Sequence, residues 1–251
     1  MTLLLRVEYD GTNYSGWQIQ PNARSVQQEL ETAWYKLTGV RTSIIGAGRT
    51  DAGVHGRGQI AHLRLHEDFK IPEHKITVAF NSRLPKDIRI WAVQLTEREV
   101  QARFDAISRE YSYSISTQES VFNRSFCWQV RFPFNAHRLH DAANLFLGVH
   151  NFTTFSKINH DTKNYVCSVS VCEWTEFEHG AQLRIKSDRF VYGMVRSLVG
   201  VMMDIARQRR TVEEVRSALE RMNRRFISPL APPQGLVLEK VCYPEEFGVL
   251  I

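Results

Sequence analysis

The sequence predicts an α/β protein built from two successive βαββαβ halves, each an antiparallel sheet with helices on one face. Three observations predict it. Apolar residues alternate with polar ones along some short runs and recur every three to four residues along others, the periods of strand and amphipathic helix. Cap and stop residues bracket the helical runs. The order strand, helix, strand, strand, helix, strand then occurs twice along the chain without sequence repetition. Units of this order are ferredoxin-like.

In the first half, Leu3, Leu5, Val7 and Tyr9 alternate along a strand. Ser25 and Gln28 form a capping box. Val26, Leu30, Ala33, Trp34 and Leu37 follow at helical spacing until Gly39 stops the helix. Residues 42–45 read as a short strand that runs into a glycine-rich loop. Residues 59–66 read as the next strand, with Ala61, Leu63 and Leu65 on one face and His62, Arg64 and His66 on the other. A helix around Ile76, Ala79 and Phe80 and a strand over residues 88–95 complete the set.

The second half opens with Arg109, Tyr111, Tyr113 and Ile115 alternating on a strand. Leu139, Ala142, Ala143, Phe146 and Leu147 mark a helix closed by Gly148. Strands follow over 165–174 and 182–188. The next helix turns Val191, Met194, Val195, Leu198, Val199, Met202 and Ile205 inward, and another begins at a Thr211/Glu214 capping box. A strand over 236–243 closes the half. The boundary is expected near residues 102–106, giving domains 1–104 and 105–251. No low-complexity linker separates them, so the halves are expected to pack together, each sheet keeping one face free of helices.

With 251 residues the chain can bury a sizeable core, and 43% hydrophobic with 24% charged residues excludes a disordered chain. The opening MTLLLRVEYD reaches Arg6 after three leucines, too short for a signal peptide or membrane span. Cys127, Cys167, Cys172 and Cys242 form no C-x-x-C pair, which points to a reducing compartment, and a cytoplasmic location is expected. A net charge of +5 is compatible with an acidic polymer as partner. Arginines cluster at Arg207, Arg209 and Arg210 and again at Arg221, Arg224 and Arg225. Solvated helix ends and a polyanion-binding surface explain them equally well.

Residues 46–56, GAGRTDAGVHG, place Asp51 where the backbone carries few side chains. A dinucleotide fingerprint fits Gly46 and Gly48, but its third glycine falls on Asp51, whose charge would repel a pyrophosphate. A P-loop fits Gly48 and Gly53 but is followed by Val54 and His55 instead of Lys and Ser or Thr. A zinc site of Asp51 and His55 with His62 or His66 lacks the H-E-x-x-H spacing, and His62 and His66 fall on the expected strand. A turn with a solvated carboxylate is the plain alternative, yet the glycines also permit close backbone approach to a ligand. The RNA-recognition signature of the usual single-stranded-RNA module is absent.

The stretch GAGRTDAGVHGRGQIAH (46–62) closely resembles the signature of the tRNA pseudouridine synthase A family. VEYDGTNYSGWQIQP (7–21) resembles that family's opening strand and loop, and FNSRLPKDIRI (80–90) and ARFDAISREYSYSI (102–115) its middle motifs. HNFTTFSK (150–157), FVYGMVRSLVG (190–200) and APPQGLVLEKVCYP (231–244) resemble its second half, in the same order. The resemblance implies an isomerase that converts uridine to pseudouridine in the tRNA anticodon stem-loop, usually at tRNA positions 38 to 40, with no cofactor and no metal.

By the same resemblance the two tandem units pack their antiparallel sheets around a central RNA-binding cleft, and the chain is a homodimer on tRNA. Asp51 is the implied nucleophile, attacking C1′ or C6 of a uridine flipped from its stack. A carboxylate suits this because it is ionised at neutral pH without an activating base. The glycines let the RNA strand come close, and Arg49 helps hold the extruded base out; a phosphate contact or simple ion pair is its alternative. Tyr111 matches the substrate-binding tyrosine, although alternation alone would equally make it a core residue like Tyr113. Arg196 matches the arginine that pairs with the carboxylate, a structural ion pair being its alternative; its helix leaves it at the margin of the buried face, and Gly200, one turn on, removes bulk beside it. His55 is expected to shape the loop. The chain departs from the family at Gly193, where His or Asn is frequent, at Ser197, where Asn is common, and at the variable Arg57, which opens the choice of target uridine. Two other classes stay open: a non-catalytic tRNA-binding module on the same scaffold, and a metal-dependent hydrolase using Asp51, His55 and His62.

Overall fold

The computed structural model describes residues 1–66, 68–159, 162–226 and 228–251. It forms two compact units, Met1–Ile107 with Val237–Ile251, and Ser108–Leu236. The first break lies a few residues beyond the expected one. The last segment belongs with the first unit, unlike in the expected division into 1–104 and 105–251. Alternation identifies a strand near the C-terminus but not its partner. In the structure its residues pair in parallel with a strand of the first unit, Val237 opposite His55 and Leu238 opposite Gly56.

The first unit carries the expected βαββαβ succession: β1 (Thr2–Tyr9), α1 (Val26–Thr38), β2 (Ile45–Gly46), β3 (His55–Arg64), α2 (Glu73–Asn81) and β4 (Ile88–Thr96). β1 lies between β3 and β4, antiparallel to both, with Leu5 opposite Ala61 and Val93. Leu3, Leu5, Val7 and Tyr9 of β1 pack on Val26, Leu30, Ala33 and Trp34 of α1 and on Ile76 and Phe80 of α2. The helix starts where Ser25 Oγ accepts from Gln28 N and stops at Gly39, whose φ of 75° is the left-handed conformation that favours glycine.

Three details differ from the sequence reading. The short strand is Ile45–Gly46, because the Ile44 N–H is taken by Glu31 Oε1 at 2.9 Å and not by a neighbouring strand. β3 begins at His55, four residues early: the glycines that suggested a loop admit packing, and a Cβ on Gly58 would lie 2.1 Å from the Glu239 carbonyl. The face without helices is not free. Leu4, Ile60 and His62 are buried there, His62 Nδ1 accepts from Ala102 N at 3.0 Å, and Tyr243 donates to Ala102 O at 2.6 Å.

In the second unit β5 (Ser108–Ser116) pairs with β9 (Gly180–Ser187), which pairs with β8 (Val166–Phe177), which pairs with β7 (Gly148–Asn151), all antiparallel. Two helices, α3 (Ala136–Asn144) and α4 (Met194–Ala206), carry the buried apolar stripes, and α5 (Val212–Glu220) opens on the complete Thr211/Glu214 box. The sequence reading lacks β6 (Trp128–Gln129) and β7, which are too short and too polar to show a period of two. α3 stops at Asn144, not at Gly148; that glycine, at φ 95°, instead turns the chain into β7. The remaining strand, β10 (Leu236–Cys242), is the one that pairs with β3. The α/β class with mostly antiparallel sheets is thus observed. Among the described residues no helix is long and apolar enough to cross a membrane.

Cys127, Cys167 and Cys172 are buried, and burial pushes their thiols up to about 11, about 11 and about 12, against 9.0 for an unperturbed thiol. A folded pKa above the unfolded one means the native state holds its proton longer, so the stability it contributes is intact below pH 9 and is lost as pH rises toward 11–12. The denaturant midpoint is expected to fall between pH 9 and 11, and less steeply in Cys172→Ala. A midpoint equally steep in that variant would contradict this assignment.

Candidate active site

The loop between β2 and β3 is built on backbone pairing to buried groups. Ala47 N donates to Ile60 O at 2.7 Å. Gln59, fully buried, clamps Gly48 from both sides: its Nε2 donates to Gly48 O at 2.8 Å and its Oε1 accepts from Gly48 N at 3.3 Å. The Trp17 ring lies against Gly46, where a Cβ would sit 2.5 Å from Cε2. Thr50 is buried, with Oγ1 2.8 Å from the Tyr9 hydroxyl, and its carbonyl accepts from Trp17 N at 3.1 Å.

These contacts fix the two charged residues on either side of Thr50. Arg49 is exposed, Thr50 buried and Asp51 half-buried, the alternation of an extended segment with Arg49 and Asp51 on one side. Immediately after, Val54 N donates to Asp51 O at 3.1 Å, closing a turn in which Gly53 has φ 75°. Gly16, at φ 98°, lies directly beneath: a Cβ there would be 2.5 Å from Thr50 O and 3.2 Å from the Asp51 carbonyl carbon. Asp51 therefore sits half-buried in the loop, on a backbone held from below.

The 10–17 segment holds the loop's other end. Gly53 N donates to Tyr14 O at 3.2 Å, and Tyr14 donates its hydroxyl to Asp87 Oδ1 at 2.6 Å. Burial and the Asp87 bond raise the Tyr14 pKa well above the ordinary range, so it remains a donor. His55, buried on β3, accepts from Gly11 N through Nδ1 at 3.0 Å, with Asp10 Oδ1 3.2 Å from the same nitrogen. The bond ties β3 to the segment after β1. His62 lies in the strand, its pKa lowered chiefly by burial and then by Arg64. Among the described residues no three His, Cys, Asp or Glu side chains are grouped to hold a metal.

Tyr111 and Arg196 belong to the second unit. On β5 the two candidate tyrosines separate. Tyr113 is fully buried and donates to Pro232 O at 2.7 Å, while Tyr111 is at the edge of burial, its ring meeting Phe190 edge-on at 5.1 Å. Arg196, half-buried in the first turn of α4, donates from Nε to Ala231 O at 2.8 Å, and Ala231 N donates back to Arg196 O at 3.0 Å. Gly200 does not make room for the arginine, as the sequence suggests. Its missing Cβ would lie 1.8 Å from Pro229 O, so the glycine admits the segment that ends on Ala231, and that segment grips Arg196. Gly193 occupies the left-handed region at φ 71°, which Asn and His tolerate better than other side chains.

Tyr9, Gly16, Thr50 and Gln59 are absent from the sequence reading of the site. The glycine spacing was the signal that a backbone approach was needed, but only packing shows that the approaching groups are the protein's own.

The chain matches the family described as tRNA pseudouridine synthase over residues 6–105 and 142–244. It is 38% identical over 249 residues to the tRNA pseudouridine synthase A of Chlamydia trachomatis serovar A, covering 98% of this chain and 93% of that one. It is 39% identical over 252 residues to tRNA pseudouridine synthase A 1 of Protochlamydia amoebophila, covering 98% of each, and 40% identical over 243 residues to the Bacteroides thetaiotaomicron tRNA pseudouridine synthase A, covering 95% and 89%. The class is therefore that of the pseudouridine-forming isomerases. The chain belongs to the tRNA pseudouridine synthase family.

Gln59→Leu keeps the side chain's bulk but strands the Gly48 N–H and C=O. A buried unsatisfied group costs about 1–3 kcal/mol. Chemical denaturation is expected to show a loss of that order; an unchanged midpoint would mean the clamp contributes nothing.

Proposed function

We propose that this protein isomerises uridine to pseudouridine in the anticodon stem-loop of tRNA, with Asp51 as the nucleophile. The observation that carries the reading is the half-buried Asp51 on a loop held through the Trp17 N–H on the Thr50 carbonyl, the bare Gly16 beneath it and the Tyr9–Thr50 hydroxyl bond, in a chain collinear with the family. A solvated turn has no need of a buried glutamine clamp and a tyrosine–threonine bond behind one carboxylate. Such rigidity suits a nucleophile, because a misplacement of about 1 Å can cost a hundredfold in rate.

The chemistry asks little beyond placement. The target uridine leaves its stack, at a cost of about a few kcal/mol. The Asp51 carboxylate adds covalently to C1′ or C6, the C1′–N1 bond breaks, the uracil turns, and C1′ bonds to C5. The proton on C5 leaves to solvent, N1 gains one, and the carboxylate is released unchanged, so no oxidant, energy source or cofactor is consumed. In this reading Arg49, exposed beside Asp51, holds the extruded nucleotide, the Tyr111 ring stacks on uracil, worth about 1–3 kcal/mol, and the Arg196 guanidinium serves the carboxylate. We further propose a cytoplasmic homodimer, whose solution mass would be near twice 29.1 kDa.

tRNA labelled with tritium at uracil C5 tests the reading. The wild type is expected to release the label and Asp51→Ala to release none above background, while still binding tRNA. Binding without release by the wild type would favour an RNA-binding module and overturn the isomerase. For Tyr111→Phe, tRNA affinity is expected to stay near the wild-type value because the ring remains; affinity lost with the hydroxyl alone would contradict stacking.

A further inference from the structure

Residues 207–225, from the end of α4 through α5 and the turn beyond it, hold seven arginines against three glutamates. That is +4 in nineteen residues, from a chain whose net charge is +5. The rest of the protein is thus close to neutral, and its basic character is concentrated in one stretch of the second unit. The helix dipole accounts for only part of it. Arg207 and Arg221 are the C-cap residues of α4 and α5, where a cation is favoured. Arg209, Arg224 and Arg225 lie past the helix ends and are exposed. Glu214, one of the three acids, is spent on the Thr211 capping box. Among the described residues no carboxylate lies within 4.0 Å of the guanidinium of Arg207, Arg209, Arg221, Arg224 or Arg225.

Three of the guanidinium groups are seated on aromatic faces. Arg207 stands 3.5 Å over the Phe132 ring, Arg210 4.7 Å over Phe226 and Arg224 5.0 Å over Tyr165. Phe226 is in turn held edge-on by the core residue Phe155 at 6.1 Å. A guanidinium held over a ring is confined in place and keeps N–H donors of the kind that meet phosphate oxygens bidentately. The rings are half-buried beneath the cations and Met222 is an exposed large apolar side chain among seven arginines, so fixed charge outweighs bare apolar area, which suits a phosphodiester chain and not a lipid interior.

We propose that this arginine surface is a binding site for the phosphate backbone of the tRNA, an inference that rests on the tRNA reading above. It sets affinity through counterion release and carries no sequence information.

The test uses fluorescently labelled tRNA and the triple variant R209Q/R224Q/R225Q, with the lysine triple R209K/R224K/R225K beside it. Each phosphate contact contributes about 0.7–0.9 to the slope of log affinity against log salt. The glutamine triple is expected to bind tRNA at least about tenfold more weakly at low salt, with a slope shallower by roughly two to three. The lysine triple, which keeps the charge but not the fork, is expected to keep most of the slope. All six exchanges are exposed, and thermal melting should match the wild type. An unchanged slope and affinity in the glutamine triple would overturn the proposal, as would an equally shallow slope in both triples, since charge would then not be the cause. Tritium release by the wild type decides the isomerase reading independently: a protein that releases no label but loses RNA affinity in the glutamine triple keeps this surface and loses that activity.

Discussion

The carbonyl of Thr50, held by the Trp17 N–H with Gly16 bare beneath it, is the constraint on which the proposed chemistry depends. It joins the loop to the rest of the first unit in one step. Gly16 O accepts from Val26 N at 3.2 Å and Trp17 O accepts from Gln27 N at 2.9 Å, so the segment under Asp51 also satisfies two of the N–H groups that the start of α1 would otherwise leave open. α1 is buried through Leu30, Ala33 and Trp34 against β1, whose last residue, Tyr9, bonds Thr50. Core, helix start and carboxylate form a closed circuit. Moving Asp51 means breaking helix-terminal bonds, each worth about 1 kcal/mol net and more if a buried group is left unpaired.

The second unit treats its arginine in a similar way. Gly200 lets the Pro229 carbonyl onto α4, and Ala231 then exchanges two hydrogen bonds with Arg196, one to its backbone and one from its side chain. In both units a missing Cβ admits a backbone segment, and that segment fixes a charged side chain. The glycines in the two motifs therefore serve internal packing as much as any ligand.

Much of this was legible in the sequence. The periods of β1, α1, α4 and β5 and the Thr211/Glu214 box needed no tertiary information, because the apolar residues of each element recur at its own spacing along the chain and the cap residues stand at a fixed offset. The two-residue β2 and β6 were not legible, since a period of two cannot show in two residues. Nor was the partner of β10, or the burial of His62 under Ala102, because both depend on residues about 40 or more positions distant along the chain. Tyr111 and Tyr113 are alike by alternation; only the Pro232 bond and full burial of Tyr113 tell them apart. The Asp51 motif stood out by resemblance, whereas Gln59 and Gly16, the residues that brace it, lie in strand and loop patterns with nothing to mark them.

Single-turnover tritium release by Gly16→Ala tests the central claim most directly. The added methyl would fall 2.5 Å from the Thr50 carbonyl in a backbone at φ 98°, so the loop must shift beneath Asp51 while the carboxylate itself is untouched. The account predicts release slowed by about a hundredfold, with tRNA affinity near that of the wild type and the protein still folded. Release at the wild-type rate from a folded Gly16→Ala protein would show that the brace under Asp51 does not govern the reaction.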